Sequence, residues 1–183
     1  MAGDRDAQWT VLVPSAQRGD RAAQAALYEQ FVRTVHSIVL AHVGSQSADD
    51  VTQEVFCSVF ASMSTLRDPA AFAGFLCTAA RNAARDQLRR QRRAPVMVSA
   101  DELAANTARP DESAERRELA ERVLATIRTL PESYRETLVL RLVGGLSGEE
   151  IAARTGLTHG SVRVNLTRGM ALLRPLLAEA LLP

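Results

Sequence analysis

No lysine occurs among the 183 residues, so all 22 basic side chains are arginine. Taken alone, that absence carries no functional information. Aromatic residues make up only 4%, so the interior has to be built from aliphatic and alanine-rich helix packing. The two cysteines, Cys57 and Cys77, lack metal-ligand spacing, and each falls in an apolar helical pattern, which reads as a pair of buried free thiols. The three histidines, His36, His42 and His159, form no ligand set or catalytic triad, and no glycine-rich phosphate loop occurs. No catalytic residue, metal site or cofactor is therefore expected, and an enzyme is the least supported reading. No run of about 18 apolar residues exists, and Met1 to Asp6 carries alternating charges. Neither a membrane span nor a signal peptide is expected, which points to a cytoplasmic protein.

The net charge of +1 conceals a strong asymmetry. Arg81, Arg85, Arg89, Arg90, Arg92 and Arg93 crowd into one segment with a single acid, Asp86. The sign then reverses through Asp101, Glu102, Asp111, Glu112, Glu115, Glu118 and Glu121. A basic block beside an acidic one suggests a nucleic-acid surface next to a segment that must not bind nucleic acid, or that imitates it.

Gly145 to Leu166 reads as a helix-turn-helix. Ser147 and Glu150 have capping-box spacing, and Ile151 and Ala152 face inward where a second helix crosses closely. Gly156 tolerates the positive φ that ends a helix and turns the chain. Leu157 fills the corner, Thr158 caps the next helix, and Val162 and Leu166 repeat at i, i+4 on its buried face. Gly160, Arg163, Val164, Thr167 and Arg168 then lie outward, where a major groove would be. A hairpin that only packs is the competing reading; cap, alanine, glycine and apolar positions together favour the tight turn.

Helical periodicity dominates the rest, and nothing alternates as a strand. Helices are expected over about Ala7–Arg18, Arg21–Val43, Ala48–Met63, Ala70–Arg90, Glu112–Thr129 and Ser133–Val143, with Pro175 ending or kinking the recognition helix near Arg174. Between Arg92 and Pro110 the period dissolves into small, polar and acidic residues, a linker. The expected architecture is all-α: two small helical domains, 1–93 and 112–183, joined by a flexible linker over 94–111, the second a helix-turn-helix.

The ordered set resembles the extracytoplasmic-function (ECF) sigma factors of bacterial RNA polymerase. Asp49-Asp50-Val51-Thr52-Gln53-Glu54-Val55-Phe56 is similar to the family's core-polymerase-binding helix. Phe72 to Asn82, continuing through Asp86-Gln87-Leu88-Arg89-Arg90, resembles its promoter-melting, minus-ten-reading helix. Leu130-Pro131-Glu132 through Leu146–Ala152 to Arg168 resembles its minus-thirty-five-reading domain. The family usually carries Trp where Phe75 stands and a bulky aliphatic where Ala79 stands.

The resemblance implies an alternative sigma factor that binds core RNA polymerase and directs promoter-specific initiation. Asp49, Asp50, Gln53 and Glu54 would meet a basic partner with charge-assisted bonds. Asn82 and Asp86 would read single-stranded minus-ten bases, with the loop Leu66, Arg67, Asp68, Pro69 and Ala70 as a pocket wall. Arg81, Arg85, Arg89 and Arg92 would hold backbone phosphates. In the second domain Arg154, His159, Ser161, Arg163, Val164, Thr167 and Arg168 would contact the duplex minus-thirty-five element. Arg163 is the candidate guanine contact, Arg168 a phosphate contact, and His159 either binds phosphate or is solvated. The acidic linker either imitates RNA phosphates in a polymerase channel or keeps a tether soluble. Many family members are held by an anti-sigma factor, and the free protein is expected to be a monomer. The alternative is a dimeric helix-turn-helix regulator of operator DNA, but such a protein's first domain has no reason to display an arginine ladder.

Overall fold

A computed structural model describes residues 8–93 and 112–180. The acidic linker expected over 94–111, with Asp101, Glu102 and Asp111, lies outside the described residues. Among the described residues eight α-helices follow one another: α1 Gln8–Gln17, α2 Arg21–Val43, α3 Ser45–Ser62, α4 Phe72–Arg93, α5 Glu112–Arg128, α6 Glu132–Leu142, α7 Gly148–Thr155 and α8 His159–Ala180. Short 3-10 turns at Met63–Thr65 and Pro69–Ala71 link α3 to α4.

Local chemistry sets the boundaries. The Asp20 carboxylate accepts from the Ala22 and Ala23 amides and so caps α2. Gly44, at φ 84, ends α2 and starts α3 without a pause. The guanidinium of Arg128 from α5 sits where a Cβ on Gly44 would project.

Helix α2 is the central post. Leu27, Phe31, Val35 and Ile38 are fully buried at helical spacing. Trp9, Phe31 and Phe72 meet edge to face at 5.4 and 5.5 Å, which ties α1, α2 and α4 together. Each fully buried large side chain contributes roughly 1.5–3 kcal/mol through removal of apolar surface from water. The apolar cluster runs without a break from Trp9 and Phe31 to Leu138, Val139, Ile151 and Leu173. The second group of helices is therefore seated directly on the first, through α6 against α2 and α7 against α4.

Two expectations are corrected. Pro175 does not end the recognition helix, since α8 continues through it to Ala180. The proline removes the amide that would reach the Ala171 carbonyl, but both residues are exposed, so water can satisfy that carbonyl. Leu176 and Leu177, packed against the core just beyond, hold the last turn. Cys57 is exposed rather than buried, while Cys77 is buried as expected. The inward positions of α3 are Ala48, Val51, Thr52, Val55, Phe56 and Val59, and Cys57 sits two residues past Val55, about 200° round the helix.

Candidate nucleic-acid interface

Asp49, Asp50, Gln53 and Glu54 all stand exposed on α3. The period explains it: Val51, Val55 and Val59 turn inward, and the polar residues between them face solvent. Asp49 lies 3.2 Å from His36, and Glu54 lies 3.3 Å from Arg90 of α4. Both carboxylates remain mostly solvated, so these pairs are weak and exchangeable.

Between α3 and α4 lies a groove of about 510 Å³. Asn82 and Asp86 project into it one helical turn apart, and Thr78 continues the row. Ser58 and Ser62 line the opposite wall, Phe75 and Ala79 contribute apolar surface, and the Glu54–Arg90 pair closes one end. An amide, a carboxylate and three hydroxyls around an apolar floor suit a planar heterocycle with donors and acceptors on its edge. Asp86 also accepts from Arg89 at 3.1 Å.

The loop residues Leu66, Arg67, Asp68, Pro69 and Ala70 are not among those lining this groove. Arg67 is exposed, and the Asp68 carboxylate accepts from the Ala70 amide, capping the short turn there. Thr78, Ser58 and Ser62 were not foreseen as lining residues. The i, i+4 step from Thr78 to Asn82 was visible in the chain, whereas the facing wall depends on the α3–α4 crossing.

The arginine ladder is divided. Arg89, Arg92 and Arg93 face solvent. Arg81 instead grips Glu136 of α6 in a bidentate pair, with Nε and Nη2 donating at 2.9 and 2.7 Å. That hydrogen bond raises the Arg81 guanidinium above its ordinary value, so it is charged throughout. Arg85 donates to Glu132 at 2.6 Å. Burial alone would push the Glu132 carboxyl up; the hydrogen bond and charge of Arg85 outweigh it and hold it below the ordinary value. Beside these pairs His42 is buried, its Nε2 3.8 Å from Glu132 and 4.0 Å from Glu136. Burial, then the charge of Arg135, holds its imidazole below the ordinary value.

The caps and the turn of the helix-turn-helix form as expected, but Leu157, expected to fill the corner, is exposed. Ser147 accepts from the Glu150 amide at 3.1 Å, and Glu150 accepts from the Ser147 amide at 2.7 Å. That backbone hydrogen bond holds the Glu150 carboxyl below its ordinary value. Gly156 ends α7 at φ 77, in the left-handed region. Thr158 caps α8 by accepting from the Ser161 amide, and its hydroxyl lies 2.8 Å from that of Ser161. Val162 is buried, while His159, Arg163, Val164, Thr167 and Arg168 are exposed. Arg154, expected at the duplex, lies elsewhere. Its Nη1 donates to the Thr34 hydroxyl at 2.7 Å and the Gln30 carbonyl at 3.2 Å, and its guanidinium covers the Phe31 ring at 5.4 Å.

Residues 27–94 match Sigma-70 region 2, and residues 120–173 match Sigma-70 region 4. The ECF RNA polymerase sigma-E factor of Escherichia coli (strain K12) is 33% identical over 168 residues, covering 86% of this chain and 88% of that protein. The chain belongs to the ECF sigma factors. As a member, it is an alternative sigma factor directing transcription, and the dimeric operator-binding alternative falls away. RNA polymerase sigma factor CarQ of Myxococcus xanthus is 38% identical over 133 residues, covering 72% of this chain and 75% of that one. Among solved structures, CnrH in complex with the cytosolic domain of CnrY superposes with a TM-score of 0.64 at 26% identity, covering 93% of this chain and 97% of CnrH.

Proposed function

We propose that this sigma factor divides its work among three surfaces: residues 1–93 bind core RNA polymerase and open the minus-ten element, 94–111 connect, and 112–183 read the minus-thirty-five duplex. The observation that carries the reading is the groove between α3 and α4, which places Asn82 and Asp86 directly behind the acidic face of Glu54. An element that must hold polymerase and a melted base at once needs that adjacency.

Asp49, Asp50, Gln53 and Glu54 take the polymerase. Asn82 and Asp86 read an unpaired base edge, and Arg67, Asp68, Arg81, Arg85 and Arg89 follow the adjoining single strand. His159, Ser161, Arg163, Val164, Thr167 and Arg168 of α8 meet the duplex, Arg163 at a guanine and Arg168 at a phosphate. Arg154 can join them only when the second domain leaves the first. The protein works in the cytoplasm as a monomer until it meets polymerase, catalyses nothing itself and needs no cofactor. Among the described residues no helix is long and apolar enough to cross a membrane, and no His, Cys, Asp or Glu group could hold a metal ion. An anti-sigma factor is a further partner, and the cytosolic domain of CnrY in complex with CnrH shows that this fold can accept a protein partner.

Co-purification with core polymerase followed by run-off transcription tests the assignment. The loaded enzyme should initiate at discrete non-palindromic promoters that core enzyme alone ignores. Failure to join core enzyme, with the fold intact, would remove the reading.

A further inference from the structure

A side chain from α1 fastens the loop that joins α3 to α4. Gln17, the last residue of α1, donates its two amide hydrogens to two loop carbonyls, Met63 at 2.9 Å and Leu66 at 2.7 Å. These carbonyls bracket the turn at the end of α3, where the Leu66 amide also donates to Met63 at 3.1 Å. Carbonyls past a helix end lack partners within the helix, so a planar amide with two diverging donors suits them. Gln17 itself stands on a rigid mount. Val13 and Ala16 of α1 are buried, Trp9 meets Phe31 edge to face, and Gln24 of α2 donates to the Ala16 carbonyl at 3.1 Å. Beyond Leu66 the chain presents Arg67 to solvent, and the Asp68 carboxylate then caps the short turn that leads into α4. Arg67 is thus held between two fixed points, the Leu66 carbonyl and the Asp68 cap.

We infer that Gln17 is a positioning residue for promoter opening: acting from α1 through the loop, it holds Arg67 where the single strand passes the groove of Asn82 and Asp86. This rests on the proposed strand contact of Arg67. Chemistry accounts for the residue type. A carboxylate of the same shape would set oxygen against oxygen at both carbonyls, and a thioether would fill the space with no donor. An arginine on a loose loop has to order both its own side chain and its backbone when it binds a phosphate. On a fastened loop the backbone part of that cost is already met. Two partly buried hydrogen bonds favour the ordered loop by about 5- to 150-fold over its loosened forms. That range is enough to set what fraction of the protein is ready to take the strand.

The test uses the full chain loaded on core polymerase and a fork-junction DNA, taken from a promoter selected with the loaded polymerase and single-stranded through the minus-ten element. Gln17→Met keeps the length of the side chain and removes both donors. It should speed hydrogen exchange at the Leu66, Ala70 and Ala71 amides, which bond within the loop. Fork binding should weaken on the order of tenfold, while core capture and binding of the minus-thirty-five duplex stay unchanged. Arg67→Ala is the deciding background. Added to it, Gln17→Met should cost nothing further, because the side chain it positions is already gone. Losses that add instead show a general loss of stability and overturn the inference, as does unchanged exchange or unchanged fork binding in Gln17→Met. If Arg67→Ala alone binds the fork as the parent does, the inference falls with its premise, while the roles of Asn82 and Asp86 stand. Circular dichroism monitors folding. Should Gln17→Met fail to fold, Gln17→Asn decides by the same measurements, since it keeps the amide but is one methylene too short to reach both carbonyls.

Discussion

Arg163→Ala and Arg168→Ala should separate sequence reading from charge on α8. Both side chains are exposed and neither supports the core, so their removal should change folding stability by no more than about 0.5 kcal/mol. They stand on different faces. At about 100° per residue, Arg163 lies on the flank of buried Val162 that also carries His159 and borders Gly148, and Arg168 lies across the outward face from it. A bidentate arginine–guanine contact is worth about 1–3 kcal/mol of discrimination, equivalent to a loss of roughly 5- to 150-fold on the preferred duplex. Scrambled duplexes should lose little. Arg168→Ala should weaken every duplex alike and reduce the slope of log K against log salt by about 0.9, one released counterion. Fluorescence titrations at several salt concentrations, on duplexes selected with the loaded polymerase and on scrambled controls, give both quantities. If Arg163→Ala lowers all affinities equally, that side chain contacts backbone, and Val164 or Thr167, further out on the same face, becomes the base reader.

Reversing Asp50 and Glu54 to Arg should cut capture of core polymerase by at least about tenfold while circular dichroism stays unchanged, since both side chains are solvated; undiminished capture would place the polymerase surface elsewhere. Asn82→Ala and Asp86→Ala should each cost about 1–3 kcal/mol of base discrimination at the minus-ten element, seen by permanganate footprinting; equal loss on every altered promoter would reassign them to fold or backbone. Ser147→Ala should destabilise the helix-turn-helix by about 1 kcal/mol in urea titration, through loss of the cap. His42 has a folded value below its unfolded 6.5, so its contribution is complete above 6.5 and is lost as pH falls through the folded value. Thermal midpoints should therefore decline as pH drops below 6.5, before the Glu132 carboxyl, held below 4.5, begins to matter. His42→Gln should flatten that decline, and an unaltered slope would assign it to other groups.

What could be read from the chain was what local chemistry determines. Asp20 and Gly44 delimit α2, and Ser147, Glu150, Gly156 and Thr158 set the helix-turn-helix within a few residues of one another. The acidic face of α3 followed from its apolar period. The docking of the two domains was written only in pieces far apart: Arg154 is a surface arginine by every local measure, and its burial depends on Thr34, 120 residues away. The matching four-residue spacing of Arg81 with Arg85 and of Glu132 with Glu136 was present in the sequence, yet spacing cannot say which ladder faces which. Pro175 and Cys57 misled for opposite reasons. One was judged by a rule that solvent relaxes, and the other by hydrophobic neighbours rather than by its angle on the helix.

Gly44 answers to two demands that would change separately over evolution. Its backbone at φ 84 joins α2 to the acidic-faced α3, and the space beside it receives Arg128 from the other domain. Any side chain at this position would meet both a backbone that only glycine adopts readily, at φ 84 and ψ 173, and the guanidinium of Arg128. A lineage that abandoned the closed packing would escape the collision but not the backbone requirement. Variation at position 44 across relatives, paired with the residue at 128, would thus record whether each descendant kept its two halves together.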